Sequence, residues 1–355
     1  MSGRAKRILV DRAPGSLRAL CFAPDGQAYR GFHQAFEGQN EPVRYGQIIQ
    51  VRVRERDQSG GFFLDHIGWK LWQGGHEPIF CDRRHSGDLA EGLTLTARVV
   101  SGRRRDHAAR VIPVEDILKF TDPAQAFVSW LSVFEGAPPE EVSAETKDMF
   151  EEAWESARAT TLPLKGGGAI HIERTRALTA IDVDTGARVT KGSAGARALS
   201  LNTLALKEVA RQVSLRDLGG AIVVDCVGPL NEAGRDKLKS VFLNTWKAYS
   251  DRKVEIIRPS RFGLMEISLP WQATPVGDMI DFGEQALLSA LRMARQELQR
   301  DAGGFCKLHL SQAAYDAYLC RKMVVDQLVN EAFHGRLTLV KAVTGQEGLE
   351  RQCHS

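Results

Sequence analysis

Apolar and polar positions divide this chain into stretches of different period. Residues 1–40 carry short apolar runs, such as Ile8, Leu9 and Val10, and are expected to form N-terminal strands that join a later core. Over residues 41–115, QIIQVRVRER alternates, GGFFLDHIGWKLW is rich in aromatics, and LTLTARVVSGRRR alternates again before a basic turn. Short alternating runs of this kind predict a small five-stranded OB-type barrel. Over residues 116–160 the apolar positions of DPAQAFVSWLSVFEG and PPEEVSAETKDMFEEAWESARA recur at three and four residues, which predicts a helical connector. Residues 161–272 return to short apolar strands. Residues 280–345 read as a small α+β domain expected to pack on that core: an amphipathic helix (EQALLSALRMARQEL), a strand and helix (KLHLSQAAYDAYL) and a last strand (RLTLVKAV). The tail GQEGLERQCHS is polar and predicted to be mobile. The fold class is therefore a multidomain α/β and α+β chain, with the barrel inserted near the N-terminus of a mixed-sheet core.

Two of the core strands end in an aspartate. Leu178, Ala180 and Ile181 lead into Asp182, and Ala221, Ile222, Val223 and Val224 lead into Asp225. If the two strands are neighbours, the carboxylates converge at one edge of a sheet. Carboxylates so close repel each other unless a hard cation lies between them. Magnesium accepts such a sparse set and keeps its waters, which are potential nucleophiles. Spacing alone leaves a second reading open, because an aspartate after a buried strand often caps a helix or forms a turn.

Three ordered motifs bear on that choice: residues 166–184 (GGGAIHIERTRALTAIDVD), 202–225 (NTLALKEVARQVSLRDLGGAIVVD) and 260–266 (SRFGLME). Together they resemble the catalytic core of the bacterial ribonuclease E and ribonuclease G family. The resemblance implies a nuclease core of mixed ribonuclease H-like and DNase I-like sheets. It puts Asp182 and Asp225, 43 positions apart, on the family's two metal-binding aspartates. Asp184 falls where the family usually has an asparagine that orients the attacking water, so it is a candidate metal ligand or base; the alternative is that it points into solvent. Being two residues on, it shares the face of Asp182. Lys253 stands near a family arginine and is the candidate phosphate-neutralising group, although a lysine lacks the bidentate fork. Gly228 and Pro229 replace a commonly acidic position, which is expected to weaken the site.

The resemblance implies a magnesium-dependent endoribonuclease, with manganese as the alternative ion. It would cut single-stranded RNA by water attack and leave a 5′-phosphate and a 3′-hydroxyl. The barrel would be the RNA-binding module. Phe62, Phe63, Trp69 and Trp72 are its candidate stacking platforms, with Phe62 leaning to barrel core and Phe63 to RNA. The RNA-binding set is Phe63, Trp72, Arg105, Arg188, Lys191 and Arg261. Residues 116–160 are much shorter than the corresponding interval in the long relatives and lack the arginine and threonine motif that senses a 5′-monophosphate. Stimulation by that group is therefore expected to be absent or much reduced.

Composition adds less. The chain has 355 residues, 43% of them hydrophobic, and a formal net charge of +3, too mild to identify a nucleic-acid partner. Basic clusters at Arg52, Arg54 and Arg56, at Arg103, Arg104 and Arg105, and at Arg188, Lys191 and Arg197 suit phosphates, but each also reads as a solvated charged face. The six cysteines form no C-x-x-C pair, so they are expected to be reduced in a cytoplasmic protein. No structural zinc is expected, and a homodimer would not be zinc-linked. Neither a leader nor a membrane span is expected from the apolar runs. Gly166, Gly167 and Gly168 fit no nucleotide-binding pattern and read as a flexible turn, and His66, His107 and His171 as surface or core histidines. The competing function is an RNA-binding protein on a nuclease scaffold with little or no catalysis. An adaptor role is weaker still, because no scaffold tail of biased composition is present.

Overall fold

The computed structural model describes residues 7–36, 43–67, 79–87, 89–104, 107–115, 126–134, 137–186, 192–300, 304–343 and 347–352. Strands Arg7–Ala13, Ser16–Phe22 and Ala28–Ala35 form an antiparallel meander. Pro139–Glu141 extends it by pairing parallel to the first strand. The N-terminal strands thus build a four-stranded sheet of their own, which meets the later core by packing, through Leu20 and Leu215 and the Arg30–Asp217 pair, and not by strand pairing. The 116–160 interval, expected to be only helical, supplies that sheet's edge. An edge tolerates Pro139, which has no N–H to donate. Glu140 and Glu141 tie the edge to Arg7 and Arg12 at 2.6 and 3.0 Å. Helix Lys147–Ser156 then buries Phe150 and Trp154, and the Arg18 guanidinium lies 5.2 Å from each ring while pairing with Asp11 and Glu151.

His33 is buried in this region, with Nε2 3.1 Å from Ser16 Oγ and the Trp154 ring edge-on at 5.2 Å. Burial, followed by the charges of Arg18, Arg292, Arg44 and Arg158, holds its pKa well below the ordinary range. The folded protein therefore keeps His33 neutral, whereas the unfolded chain protonates it below about pH 6.5. The unfolded state then binds more protons, so stability present above that pH is lost as pH falls. His33→Gln is expected to flatten the acid limb of stability measured by urea unfolding between about pH 6.5 and pH 5. A limb as steep as that of the unaltered protein would show that other groups cause it.

A closed barrel of the expected five strands is present. Strands Ile48–Arg56, Phe62–His66, Ile79–Cys81, Ala109–Pro113 and Thr94–Ser101 close in that order around Val51, Val53, Leu64, Ile79, Val99 and Val111. Its last strands meet the core where Gly102 N donates to Gln272 O at 2.7 Å. A Cβ on Gly102 would lie 2.6 Å from Thr274 Oγ1, so a side chain there would push the two apart.

The sheet that carries the aspartates has six strands, in the order Thr161–Pro163, Ala169–Arg174, Leu178–Asp184, Gly220–Asp225, Leu264–Leu269 and Glu255–Ile257. Leu178–Asp184 and Gly220–Asp225 run parallel, as their connection through helix Ala194–Leu215 requires. That helix and helix Glu232–Tyr249 cover one face, where Leu206, Val209, Phe242 and Trp246 pack with Ile181, Val183, Ile222, Val224, Met265 and Ile267. The residues between these turn the other way, to an open face.

In the C-terminal region, helix Phe282–Arg300 lies with helices Gln312–Cys320 and Lys322–Phe333 against strands Phe305–Leu310 and Leu337–Lys341. It docks on the N-terminal sheet rather than on the aspartate core: Phe36 enters its apolar cluster, and Arg292 pairs with Asp11. The tail also departs from expectation, because Gly348–Gln352 is a strand antiparallel to Phe305–Leu310. Leu349 packs on the domain core, and Glu350 meets His309 Nε2 at 2.8 Å, which together fix a segment that polarity alone would leave loose.

Candidate functional site

Strand register places the site. Thr161, His171, Asp182, Asp225 and Leu264 pair in one line across five strands, so Asp182 and Asp225 are direct neighbours on parallel strands. Alternation is strict along both: Ile181, Val183 and Val224 are buried under the helices, while Asp182, Asp184 and Asp225 are exposed on the open face. Neighbouring strands lie about 4.8 Å apart, which brings the two carboxylates within reach of one ion. Among the described residues no group of three or more His, Cys, Asp or Glu side chains could hold a metal. Two aspartates alone are a sparse donor set, of the kind that would suit only a hard cation keeping most of its waters.

Asp184 is on the same face, and its side chain is 52% exposed. One oxygen accepts the Gly186 N–H at 3.0 Å, and the other is 4.0 Å from His171 Nε2. It is thus both the turn former of the bland reading and a member of the open face. His171, read from the sequence as an ordinary histidine, stands next to Asp182 and is oriented by Thr161 Oγ1, 2.9 Å from Nδ1. Only the register reveals this. The glycine turn before it holds Gly166, Gly167 and Gly168 at φ of 83°, 99° and 84°. At Gly168 a Cβ would lie 2.7 Å from the Asp184 carbonyl oxygen, so the turn can press on the end of the aspartate strand only without a side chain there.

The Asp225 strand end is clamped from two sides. Asn202, fully buried on helix Ala194–Leu215, donates to Val227 O at 2.8 Å and accepts from Val227 N at 3.0 Å. On the other side Gly263, at φ 91°, accepts the Cys226 N–H at 3.1 Å, and a Cβ there would lie 2.7 Å from Cys226 O. The Cys226 thiol is pushed up to about 12 by burial first and the Asp225 charge second, which keeps it protonated and unreactive. The sequence signal for Asn202 was a polar residue on an apolar helix face. Asn202→Ala leaves two partly buried backbone groups of Val227 without their side-chain partner. It is expected to cost about 1 to 3 kcal/mol in urea unfolding, and to lower kcat more than it raises KM if the strand end positions Asp225. An unchanged unfolding midpoint would remove the clamp.

The remaining candidates divide. Lys253 is not brought to the pair. It precedes Glu255–Ile257, and Glu255 pairs with Ser268, which pairs with Ala221, so Lys253 lies beyond the far end of the sheet. Ala221 is already about 13 Å of strand from Asp225. Lys253 is 83% exposed, with Glu255 at 3.5 Å. Among the described residues, exposed cations toward the aspartate end include Lys165, in the glycine turn, and Arg261, in the turn over residues 260–264. Phe63 is half-buried on the barrel, edge-on to Phe80 at 5.3 Å with the Arg54 guanidinium 5.8 Å from its centre. Phe62 is barrel core, and Arg52, Arg54 and Arg56 are exposed along one strand. Arg104 faces no open groove: it is buried, 4.5 Å over the Trp271 ring. Trp69, Trp72, Arg105, Arg188 and Lys191 lie outside the described residues.

The ribonuclease E/G family model matches residues 121–269, an interval that contains both aspartates and the turn after them. The chain is 34% identical over 280 residues to ribonuclease G of Escherichia coli strain K12, covering 71% of this chain and 54% of that protein. It is 34% identical over 143 residues to ribonuclease E of Haemophilus influenzae, covering 40% of this chain and 15% of that one. Against a chloroplastic ribonuclease E/G-like protein of Arabidopsis thaliana it is 38% identical over 122 residues, which cover 33% and 12%. The chain thus spans about half the length of the first of these relatives and a smaller share of the others.

Proposed function

Because this chain belongs to the ribonuclease E/G family, we propose that it is an endoribonuclease that cuts single-stranded RNA at Asp182 and Asp225. The observation that carries the reading is the direct pairing of these two exposed carboxylates across parallel strands. Magnesium, or manganese in its place, would be held by the pair and would supply charge neutralisation and a water of lowered pKa. The residues of the chain do the rest. The open sheet face leaves room for a strand of RNA, while the helices behind it fix the two strand ends. Lys165 and Arg261 flank the carboxylates and offset charge on the phosphate oxygens. Asp184, with one oxygen held by Gly186, would orient the attacking water. In-line attack leaves a 5′-phosphate and a 3′-hydroxyl.

The barrel is proposed as the RNA-holding module of OB type, with Phe63 between Phe80 and Arg54 as its stacking surface. Preference would be for single-stranded segments, with little dependence on a 5′-monophosphate. The proposal further includes a cytoplasmic location, no structural zinc, and a homodimer, if one forms, without a zinc link. Among the described residues no helix is long and apolar enough to cross a membrane. The test is cleavage of an end-labelled, A/U-rich RNA carrying either a 5′-hydroxyl or a 5′-monophosphate, with magnesium or with EDTA. Metal-dependent cutting of both supports the reading. RNA binding without cutting under any metal would favour the scaffold reading, in which Asp184 is only a turn former and Gly228 marks a missing acid.

A further inference from the structure

Phe262 presents its ring to solvent at the tip of the turn beside Asp225, and neither the fold nor the proposed chemistry uses it. It is 75% exposed. The backbone of the turn that carries it is held in place. Phe262 N donates to Ser260 Oγ at 3.2 Å and Gly263 N to Ser260 O at 3.0 Å, while Gly263 O holds Cys226 N at 3.1 Å. The Cβ position of Gly263 is 3.5 Å from Asp225 Oδ1, so the preceding residue, Phe262, stands at the rim of the carboxylate pair. The Arg261 guanidinium covers the ring at 4.9 Å from its centre.

A planar ring with a cation on one face, fixed beside a pair of carboxylates, suits a nucleobase with its phosphate close by. We infer that Phe262 stacks on the base adjoining the phosphate held at Asp182 and Asp225, and that Arg261 meets the backbone of the same strand. This rests on the endoribonuclease reading. The barrel grips RNA at a distance, whereas Phe262 sets which nucleotide faces the carboxylates. Stacking reads base faces and tolerates any sequence, so the effect is on register and strength of binding rather than on base identity. Exposed Leu264 and Ile257 near the turn offer a protein partner as the competing occupant, but the stacked arginine and the adjacent carboxylates fit a nucleotide better.

The experiment uses the full chain with Asp182→Asn and Asp225→Asn, which binds without cutting, and ten-nucleotide fluorescent RNAs with one abasic site moved along the strand. With Phe262 present, one abasic position is expected to weaken binding about 5- to 150-fold, the range of a single base stack. Phe262→Ala should weaken binding to the intact RNA by the same factor and make that abasic position cost nothing further. Phe262→Tyr should restore it. The chain with both aspartates should cut next to that position. Unchanged binding by Phe262→Ala overturns the inference, as does an equal loss at every abasic position, or self-association that Phe262→Ala abolishes. If the chain with both aspartates cuts none of these RNAs, the endoribonuclease reading falls together with the placement at the cut, while the scan still decides whether Phe262 stacks.

Discussion

Asp182→Asn and Asp225→Asn are each expected to slow RNA cleavage about a thousand-fold while leaving RNA affinity the same or slightly higher. An ion held at a phosphoryl site is worth several kcal/mol of transition-state stabilisation, and about 1.4 kcal/mol is a factor of ten. An amide keeps the size of the side chain but not the charge that holds a cation between the strands. Both residues are exposed at strand ends whose supporting contacts lie behind them, in the helix-covered layer and the Asn202 clamp, so neither change should unfold the protein. Each change removes one negative charge facing a polyanion, so affinity measured without divalent ion should not fall electrostatically. Single-turnover cleavage across a magnesium titration, with fluorescence anisotropy for binding, separates the two quantities. Asp184→Asn should cost far less, because the amide oxygen still accepts from Gly186 N. Wild-type rates in either of the first two variants would end the paired-carboxylate mechanism.

The second large effect lies in the joint between the N-terminal sheet and the aspartate core. Asp217, just past helix Ala194–Leu215, is 3% exposed and adopts φ 55°. It lies 3.0 Å from Arg30 of the N-terminal sheet and 3.2 Å from Arg252. Arg252 is itself buried, donating to Leu218 O at 2.8 Å with its guanidinium 5.3 Å over Trp246, and burial lowers its pKa. Asp217→Asn keeps a residue type that tolerates the left-handed conformation but removes the charge facing two guanidinium groups. Stranding a buried charge costs about 3 to 5 kcal/mol. The expected result is a large drop in the urea midpoint, partly recovered when Arg252→Met is added. A loss under about 1 kcal/mol would mean that the arginines find other partners.

These effects show which parts of the protein were legible in its residues. Local period was enough for the barrel, because Ile49, Val51 and Val53 face inward between exposed Gln50, Arg52 and Arg54. It was enough for the aspartate strands as well, and it put Asp184 on the face of Asp182, since side-chain direction in a strand depends only on odd or even spacing. The tail strand escaped because Gly348–Gln352 has no apolar alternation of its own and exists only by pairing with Phe305–Leu310.

The residues by themselves therefore determined most of the strands and the shared face of Asp182 and Asp184, which depend on neighbours within a few residues, while the choice of Asp182 and Asp225 came from ordered motifs spread over a hundred residues. Tertiary structure decided what sits beside what. The line from Thr161 to Leu264, the approach of His171 to Asp182, the clamp of Asn202 on Val227 and the placing of Arg261 and Phe262 at the site all join residues distant in the chain. The same register carries Lys253 to the far end. Register is fixed by packing across the whole sheet, and a local pattern holds no information about which strand, or which end of it, will be the neighbour.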